Sequence, residues 1–348
     1  MDLERLRRLP KAELHQHLDG AVRPETAVAL APAAGMRLTL EEARARLVAP
    51  PHCHDQAELL TYFDLPIALL QAADGLSRVA AELVAEMAAD GVTYGEIRWA
   101  PRLHLERGLS VPAVIEAVAE GVERSRAALG PAAPLIGLIV TAMRSHPPSA
   151  NVLLAEAAAT FGAPVVGFDL AGLEAAWPAE PHAAAFRAAE AGGLALTAHA
   201  GEVPGPDRVR IALALGVRRI AHGPTAADDP ALMAELRARD VTLDLCPTSN
   251  VQAGIVADLA SHPIGMLHRA GVSVTLSTDD RTVSDTTLTD EMANVALAQR
   301  WSRDELAAIA INAFRRGFAP PALLRPLTAA AARAWHAWAA EGTPISRG

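Results

Sequence analysis

His15 and His17 lie two residues apart in Ala-Glu-Leu-His-Gln-His-Leu-Asp-Gly, residues 12–20. The segment reads as a β-strand, and side chains at i and i+2 leave a strand on one face. Two imidazoles then point the same way from a rigid element, which is how a protein holds half of a metal site. Alone, this spacing is weak evidence. Its weight comes from the rest of the chain. His199 (in Thr-Ala-His-Ala-Gly-Glu), His222 (in Arg-Ile-Ala-His-Gly) and Asp279 (in Ser-Thr-Asp-Asp) recur at the ends of later strand-like segments. Three imidazoles and one carboxylate suit Zn²⁺ and leave room for a water. Bound Zn²⁺ lowers the pKa of such a water to about 7, giving a nucleophilic hydroxide at neutral pH. Glu202, three residues past His199, is placed beside such a metal without ligating it and is suited to shuttle a proton. His222 and Asp280 are placed to hold the hydroxide and the substrate.

The elements that must carry these groups are short and β-rich. Eight can be picked out, at residues 12–17, 93–100, 134–143, 164–171, 194–199, 218–222, 241–246 and 272–278. Most are continuously apolar, as strands buried on both faces are. Helical patterns at 76–89, 111–129, 181–191, 208–215, 230–239 and 266–270 lie between them. Glycines close several helices before the next strand: Gly91, Gly162, Gly192 with Gly193, Gly216 and Gly271. This alternation predicts an α/β fold, a (β/α)8 TIM-like barrel, in which catalytic groups sit where strands end. Five of the eight strands would deliver polar or metal-binding groups to one rim, the fifth through Cys246-Pro-Thr-Ser-Asn250.

Two features depart from a plain barrel. A helical insertion of about 75 residues follows strand 1, with helix-like stretches at 24–30, 40–47 and 56–71. It falls on the catalytic face and is expected to help cover the pocket. Extra C-terminal helices are expected at 288–299, 303–315 and 321–340. The whole of 1–348 reads as one barrel domain.

Composition narrows the function. The chain has 348 residues, 51% hydrophobic and 20% charged, enough material for a large core. The net charge is −9 with no basic block, which disfavours nucleic acid as a partner. The two cysteines, Cys53 and Cys246, are far apart and form no Cys-x-x-Cys pair. No apolar signal-peptide core opens the chain, and no run of 18 apolar residues suggests a membrane span. The expected location is cytoplasmic, and the expected partners are a small molecule and water. Oligomeric state is not legible.

Taken in order, Leu-His15-Gln-His17-Leu-Asp19-Gly20, Asp169-Leu-Ala-Gly172, His199-Ala-Gly-Glu202, His222-Gly, Cys246-Pro-Thr-Ser-Asn250 and Ser277-Thr-Asp279-Asp280 resemble the adenosine deaminase family of the amidohydrolase superfamily over nearly the whole chain. The resemblance implies hydrolytic deamination of a small-molecule purine nucleoside, adenosine or 2′-deoxyadenosine, to the inosine product and ammonia, with one Zn²⁺ per chain bound by His15, His17, His199 and Asp279. It implies Glu202 as the group that protonates purine N1, His222 as the group that orients the hydroxide, and Asp280 as a contact to the hydroxide and N7. The Gly172 N–H would meet N3, and Asp19 would bind the ribose 5′-hydroxyl region, with His17 also bordering the substrate. Chemistry supports this division of roles. Hydroxide adding at C6 puts negative charge on the ring, and a proton delivered to N1 neutralises it before ammonia leaves.

Departures from the family pattern occur at Ala100, Glu174, Trp177 and Arg281, all expected to touch the substrate pocket and none the metal. Rival substrates are therefore 6-aminodeoxyfutalosine, other 5′-modified adenosines and free adenine. A binuclear amidohydrolase commonly needs a bridging lysine on strand 4, and the sole lysine is Lys11. A cytidine-deaminase-type site needs a Pro-Cys-x-x-Cys ligand pair, which Cys246 cannot complete. A non-catalytic binding module would not be expected to keep all four ligand positions and Glu202. His52-Cys53-His54 follows Pro50-Pro51 in a loop and is expected to be solvated or locally packed. His104 and His146 follow strands 2 and 3 and are the remaining histidines with a chance of lining the pocket. His182, His262, His268 and His336 read as surface or packing residues. Tyr62, Phe63, Leu65 and Leu69 read equally as a lid or as the apolar face of a helix.

Overall fold

The computed structural model describes residues 2–342; the remaining positions of the expected single domain, 1 and 343–348, lie outside it. Eight parallel strands follow one another around a nearly closed barrel: β1 (Lys11–His17), β2 (Val92–Trp99), β3 (Leu135–Met143), β4 (Val165–Ala171), β5 (Ala195–Ala200), β6 (Arg219–His222), β7 (Thr242–Leu245) and β8 (Ser273–Leu276). Each pairs with the next in sequence order. Closure falls beside the motif residues: His17 N–H donates to Asp279 O at 2.8 Å and Asp279 N–H to His15 O at 3.0 Å. The expected strands agree with these to within one or two residues, the usual uncertainty of element ends.

The strand interiors are apolar because helices cover their outer faces. Val114, Val118 and Val122 of the Val111–Leu129 helix and Val79, Leu83 and Met87 of the Ala73–Ala89 helix are buried in that layer. Inside the barrel the filling is partly ionic. Arg219 Nε lies 2.7 Å from Asp244 Oδ2 and also pairs with Glu96, while Arg98 Nη1 lies 3.4 Å from Asp169 Oδ2. Arg98 Nη2 donates to Leu14 O at 2.8 Å, so the charges in the barrel brace β1 and β4 beneath the motif histidines.

The insertion after β1 contains the helices Pro24–Leu30 and Leu40–Leu47, at the expected bounds. The stretch read as one helix over 56–71 is instead broken into Gln56–Leu60, a 3₁₀ turn Thr61–Phe63, and Asp64–Leu69. Pro66 explains this, since it has no N–H for the carbonyl four residues earlier and its ring crowds that turn. Thr61 adds a competing hydrogen bond from Oγ1 to Glu58 O at 2.7 Å. The break leaves Phe63 edge-on to His17, ring centroids 6.4 Å apart. A helix absent from the sequence reading runs Pro148–Phe161 between β3 and β4. Its Leu153-Leu154-Ala-Glu-Ala-Ala-Ala run is apolar on most sides and lacks a clear stripe. The C-terminal helices are Leu288–Ala298, Arg303–Arg316 and Pro321–Ala339. Among the described residues no helix is long and apolar enough to cross a membrane.

Candidate metal centre and active site

β1, β5 and the turn after β8 bring four ligand-type side chains to one point at the C-terminal rim. The Nε2 atoms of His15, His17 and His199 lie 3.1–3.2 Å from one another. Asp279 Oδ1 lies 2.9 Å from His15 Nε2 and 3.4 Å from His17 Nε2. Ligands about 2.0–2.2 Å from a tetrahedral zinc lie roughly 3.3–3.6 Å apart, so the set is close to that size. The donor chemistry fits as well. His199 Nδ1 faces Asp169, 3.2 Å from Oδ1, which commits its proton there and leaves a lone pair on Nε2 aimed into the cluster. Burial lowers the pKa of His15 and pushes that of His17 down to about 3, so both present neutral nitrogens. Burial also acts to lower His199, but the Asp169 carboxylate more than offsets it and the net shift is upward. These residues fit a bound divalent metal.

A cavity of about 350 Å³ opens over this point. It is lined by His17, Asp19, Gly172, His199, Glu202, His222, Asp279 and Asp280. His15 lies behind the others, fully buried. The structure therefore brings the whole expected set together. His222 Nε2 lies 3.5 Å from Glu202 Oε1 and 3.7 Å from Asp279 Oδ2. Burial pushes the Glu202 carboxyl up to about 8, with Glu174 and Asp279 adding to the shift. Asp280 is raised by burial and by the carboxylates of Asp279, Asp19 and Glu202 around it. Asp19 is buried, its Oδ1 has no hydrogen-bond partner, and burial pushes it up to about 6. His222 and Asp279 both adopt positive φ, 68° and 66°, without being glycine. Such backbone costs roughly 1–3 kcal/mol and persists where the surroundings over-determine it.

Several residues support the site: Asp169 and Ser249 stand in the quoted motifs with no role legible from sequence, whereas Thr141, Arg144 and Glu174 lie outside them. Asp169 orients His199, and Thr141 Oγ1 donates to Asp169 Oδ2 at 3.2 Å. Ser249 Oγ donates to Asp279 Oδ2 at 2.7 Å. The Glu202 backbone N–H donates to Glu174 Oε2 at 2.8 Å, and Glu174 pairs with buried Arg144 at 3.4 Å. Of the four departures, Ala100 and Trp177 line the cavity but Glu174 and Arg281 do not. Glu174 is turned inward to brace the Glu202 loop, and Arg281 points away to Asp90, 3.4 Å distant. His104 is buried off the cavity and His146 does not line it either. His52 and His54 are exposed, with Cys53 packed against Leu59 and Val283. Phe63 lines the cavity, whereas Leu65 and Leu69 belong to the core.

Gly20 gives a direct test of Asp280. A Cβ at Gly20 would lie 1.8 Å from Asp280 Oδ1 and 2.6 Å from its Cγ. Gly20→Ala must therefore displace that carboxyl, and a misplacement of about 1 Å can cost roughly 10²-fold in rate. We expect a folded, metal-loaded variant with kcat/KM lowered by about that factor. Wild-type kinetics from it would remove Asp280 from the reaction.

Residues 10–329 match the family model described as "Adenosine deaminase". The chain is 37% identical over 324 residues to the adenosine deaminase of Enterococcus faecalis, covering 92% of this chain and 95% of the relative. Among solved structures, the adenine deaminase of Arthrobacter aurescens superposes with a TM-score of 0.86 at 28% identity, covering 95% of this chain and 99% of the other. An amidohydrolase from Burkholderia ambifaria with bound Zn superposes with a TM-score of 0.88 at 25% identity, covering 98% and 95%.

Proposed function

This chain belongs to the adenosine deaminase family, and we propose that it is a zinc-dependent hydrolytic deaminase of adenosine and 2′-deoxyadenosine, yielding the inosine product and ammonia. The observation that carries the reading is the cluster of three imidazole nitrogens and Asp279 beside a carboxyl, Glu202, that burial keeps protonated at neutral pH. His15, His17, His199 and Asp279 would hold one zinc ion. When bound, the ion supplies the Lewis acidity that makes water nucleophilic at neutral pH.

The chain's own residues do the rest. Glu202 donates its proton to purine N1, which draws electron density from C6 and compensates the charge that arrives with the nucleophile. His222, between Glu202 and Asp279, orients the attacking water; Asp280 contacts the same water and, with its carboxyl raised by burial and by the carboxylates around it, donates to N7. The positive φ of Gly172, 108°, turns its backbone N–H at the cavity wall, where it would meet N3. The water's two protons go one to the amino group, which leaves C6 as ammonia, and one back to Glu202, while its oxygen stays on C6. A cytoplasmic location belongs to the same reading.

The cavity favours an uncharged nucleoside. A volume of about 350 Å³ lies in the usual range for small-molecule sites, roughly 300–1,000 Å³. Among the described residues no lysine or arginine lines it, while Asp19, Glu202, Asp279 and Asp280 do. A 5′-phosphate would enter with no cationic partner. Leu59, Leu60, Phe63, Ile67, Leu103 and Trp177 supply an apolar wall at the mouth.

A deamination screen over adenosine, 2′-deoxyadenosine, 5′-deoxy-5′-methylthioadenosine, 6-aminodeoxyfutalosine, AMP and adenine tests the reading; turnover of adenine or AMP alone would overturn it. Asp19 is the polar group placed for a free 5′-hydroxyl. Losing a hydrogen bond to a buried partner costs about 1–3 kcal/mol, so Asp19→Ala should lower kcat/KM for adenosine roughly ten- to a hundred-fold. The loss on 5′-deoxyadenosine should be much smaller. Equal losses on the two, measured side by side, would show that Asp19 does not read the 5′ position.

A further inference from the structure

His262 and Asn250 stand behind His222, outside the cavity, and both are buried. Ile264 N–H donates to His262 Nδ1 at 3.2 Å. His262 Nε2 lies 3.1 Å from Asn250 Oδ1, and Asn250 Nδ2 lies 3.0 Å from His222 Nδ1. The direction of this chain follows from its first link. A backbone N–H can only donate, so His262 Nδ1 is an acceptor. Neutral His262 then carries its proton on Nε2, which must donate to the amide oxygen of Asn250. That choice fixes which way the Asn250 amide faces, a matter otherwise open to a flip. Its NH₂ therefore donates to His222 Nδ1. Burial pushes His262 down to about 3, in keeping with a neutral ring.

We propose that Ile264 N–H, His262 and Asn250 form a tautomer lock that keeps the proton of His222 on Nε2, the nitrogen facing Glu202 and Asp279. His262 and Asn250 are positioning residues, acting through His222. The lock makes His222 present a hydrogen-bond donor, not a lone pair, to the reacting water. This bears on which group can take the proton of that water: His222 in this tautomer cannot. The proposal rests on the functional reading of His222 above, but the tautomer itself is measurable without activity.

The decisive experiment is two-bond ¹H–¹⁵N NMR of the metal-loaded protein labelled at histidine, with His222 assigned by its loss in His222→Gln. We expect Nε2 to bear the proton and Nδ1 to be bare. A proton on Nδ1, or an average of both forms, overturns the lock. Asn250→Asp offers an isosteric carboxylate that accepts from both rings and should move the His222 proton to Nδ1. His262→Phe removes the donor that fixes the amide. Both should lower kcat about 10- to 100-fold, the usual cost of losing such outer partners, with KM changed by less than about threefold. Gln at 262 can accept from Ile264 N–H and donate to Asn250, so His262→Gln should recover most of the loss. Unchanged kcat in His262→Phe, or no recovery in His262→Gln with metal content and folding intact, would also overturn the proposal. Absence of any deaminase activity in the wild type would sink the functional reading while leaving the NMR result to stand.

Discussion

Glu202→Gln should keep its metal and its fold and lose at least about 10²–10⁴-fold in kcat, the range a positioned general acid typically contributes. The substitution preserves shape and one hydrogen-bond acceptor but removes the transferable proton. The variant also separates Glu202 from the ion-holding set, because the Glu202 carboxyl is not among the atoms that converge with His15, His17 and His199. Its environment explains why a glutamate can serve here. Burial comes first, and neighbouring Glu174 and Asp279 add to it, so the carboxyl is pushed up to about 8. An acid acts only while protonated, so the wild-type rate should fall as pH rises through this value. The Gln variant should lack that alkaline fall. A Glu202→Gln enzyme with near wild-type kcat would mean that the proton reaches N1 from another group.

Much of this arrangement is legible in the chain because barrels place chemistry at strand ends and strands announce themselves. β1 and β6 end on a histidine, β5 carries His199 one residue before its end, Asp279 follows β8 by three residues, and their apolar runs have no competing helical period. What the sequence does not display is the set of contacts made across the barrel. Asp169 sits in a quoted motif, yet only the pairing of β4 beside β5 puts its carboxylate against His199 Nδ1. Asn250 lies in the short helix Pro247–Gln252 and His262 twelve residues on, just before the helix Ile264–Arg269, and no periodicity links them to His222. Arg281 follows the Asp279-Asp280 pair directly, so adjacency suggested the pocket. The backbone turns after Asp280, and the guanidinium leaves toward Asp90 instead. The positive φ of His222 and Asp279 is likewise a property of the closed barrel, since neither residue type demands it. The broken helix at 61–63 shows the same limit from the other side. Pro66 was visible, but the placement of Phe63 over His17 depends on where the chain resumes.

Removing the metal should abolish turnover altogether, and metal analysis of protein purified without chelator should find one equivalent per chain, zinc. One rather than two follows from the absence of a bridge. Lys11, the sole lysine, donates Nζ hydrogen bonds to the carbonyls of Leu6, Arg7 and Leu9 at 2.9–3.0 Å, at the opposite end of β1 from His17. It cannot reach the rim. Cys246, near Asp279 and His222, is fully buried, its thiol is pushed well up by burial, and Sγ faces Asp244 O at 3.7 Å. It offers no thiolate for a second ion. Without metal, three imidazole lone pairs and a carboxylate oxygen are aimed at one point, so the ion should also hold the fold together. A ligand present at about a thousand times its Kd stabilises the folded state by roughly 4 kcal/mol. Chelation should therefore lower Tm by several degrees, and added Zn²⁺ should restore both Tm and activity. Burial holds His15 and His17 neutral far below the ordinary imidazole range, so the proton that competes for the site near neutral pH is the one on His199, whose pKa Asp169 holds up against burial. Metal affinity should weaken as pH falls from 8 to 6 and His199 takes up its proton. Two tightly held equivalents, or full turnover in protein stripped of metal, would refute the assignment of His15, His17, His199 and Asp279.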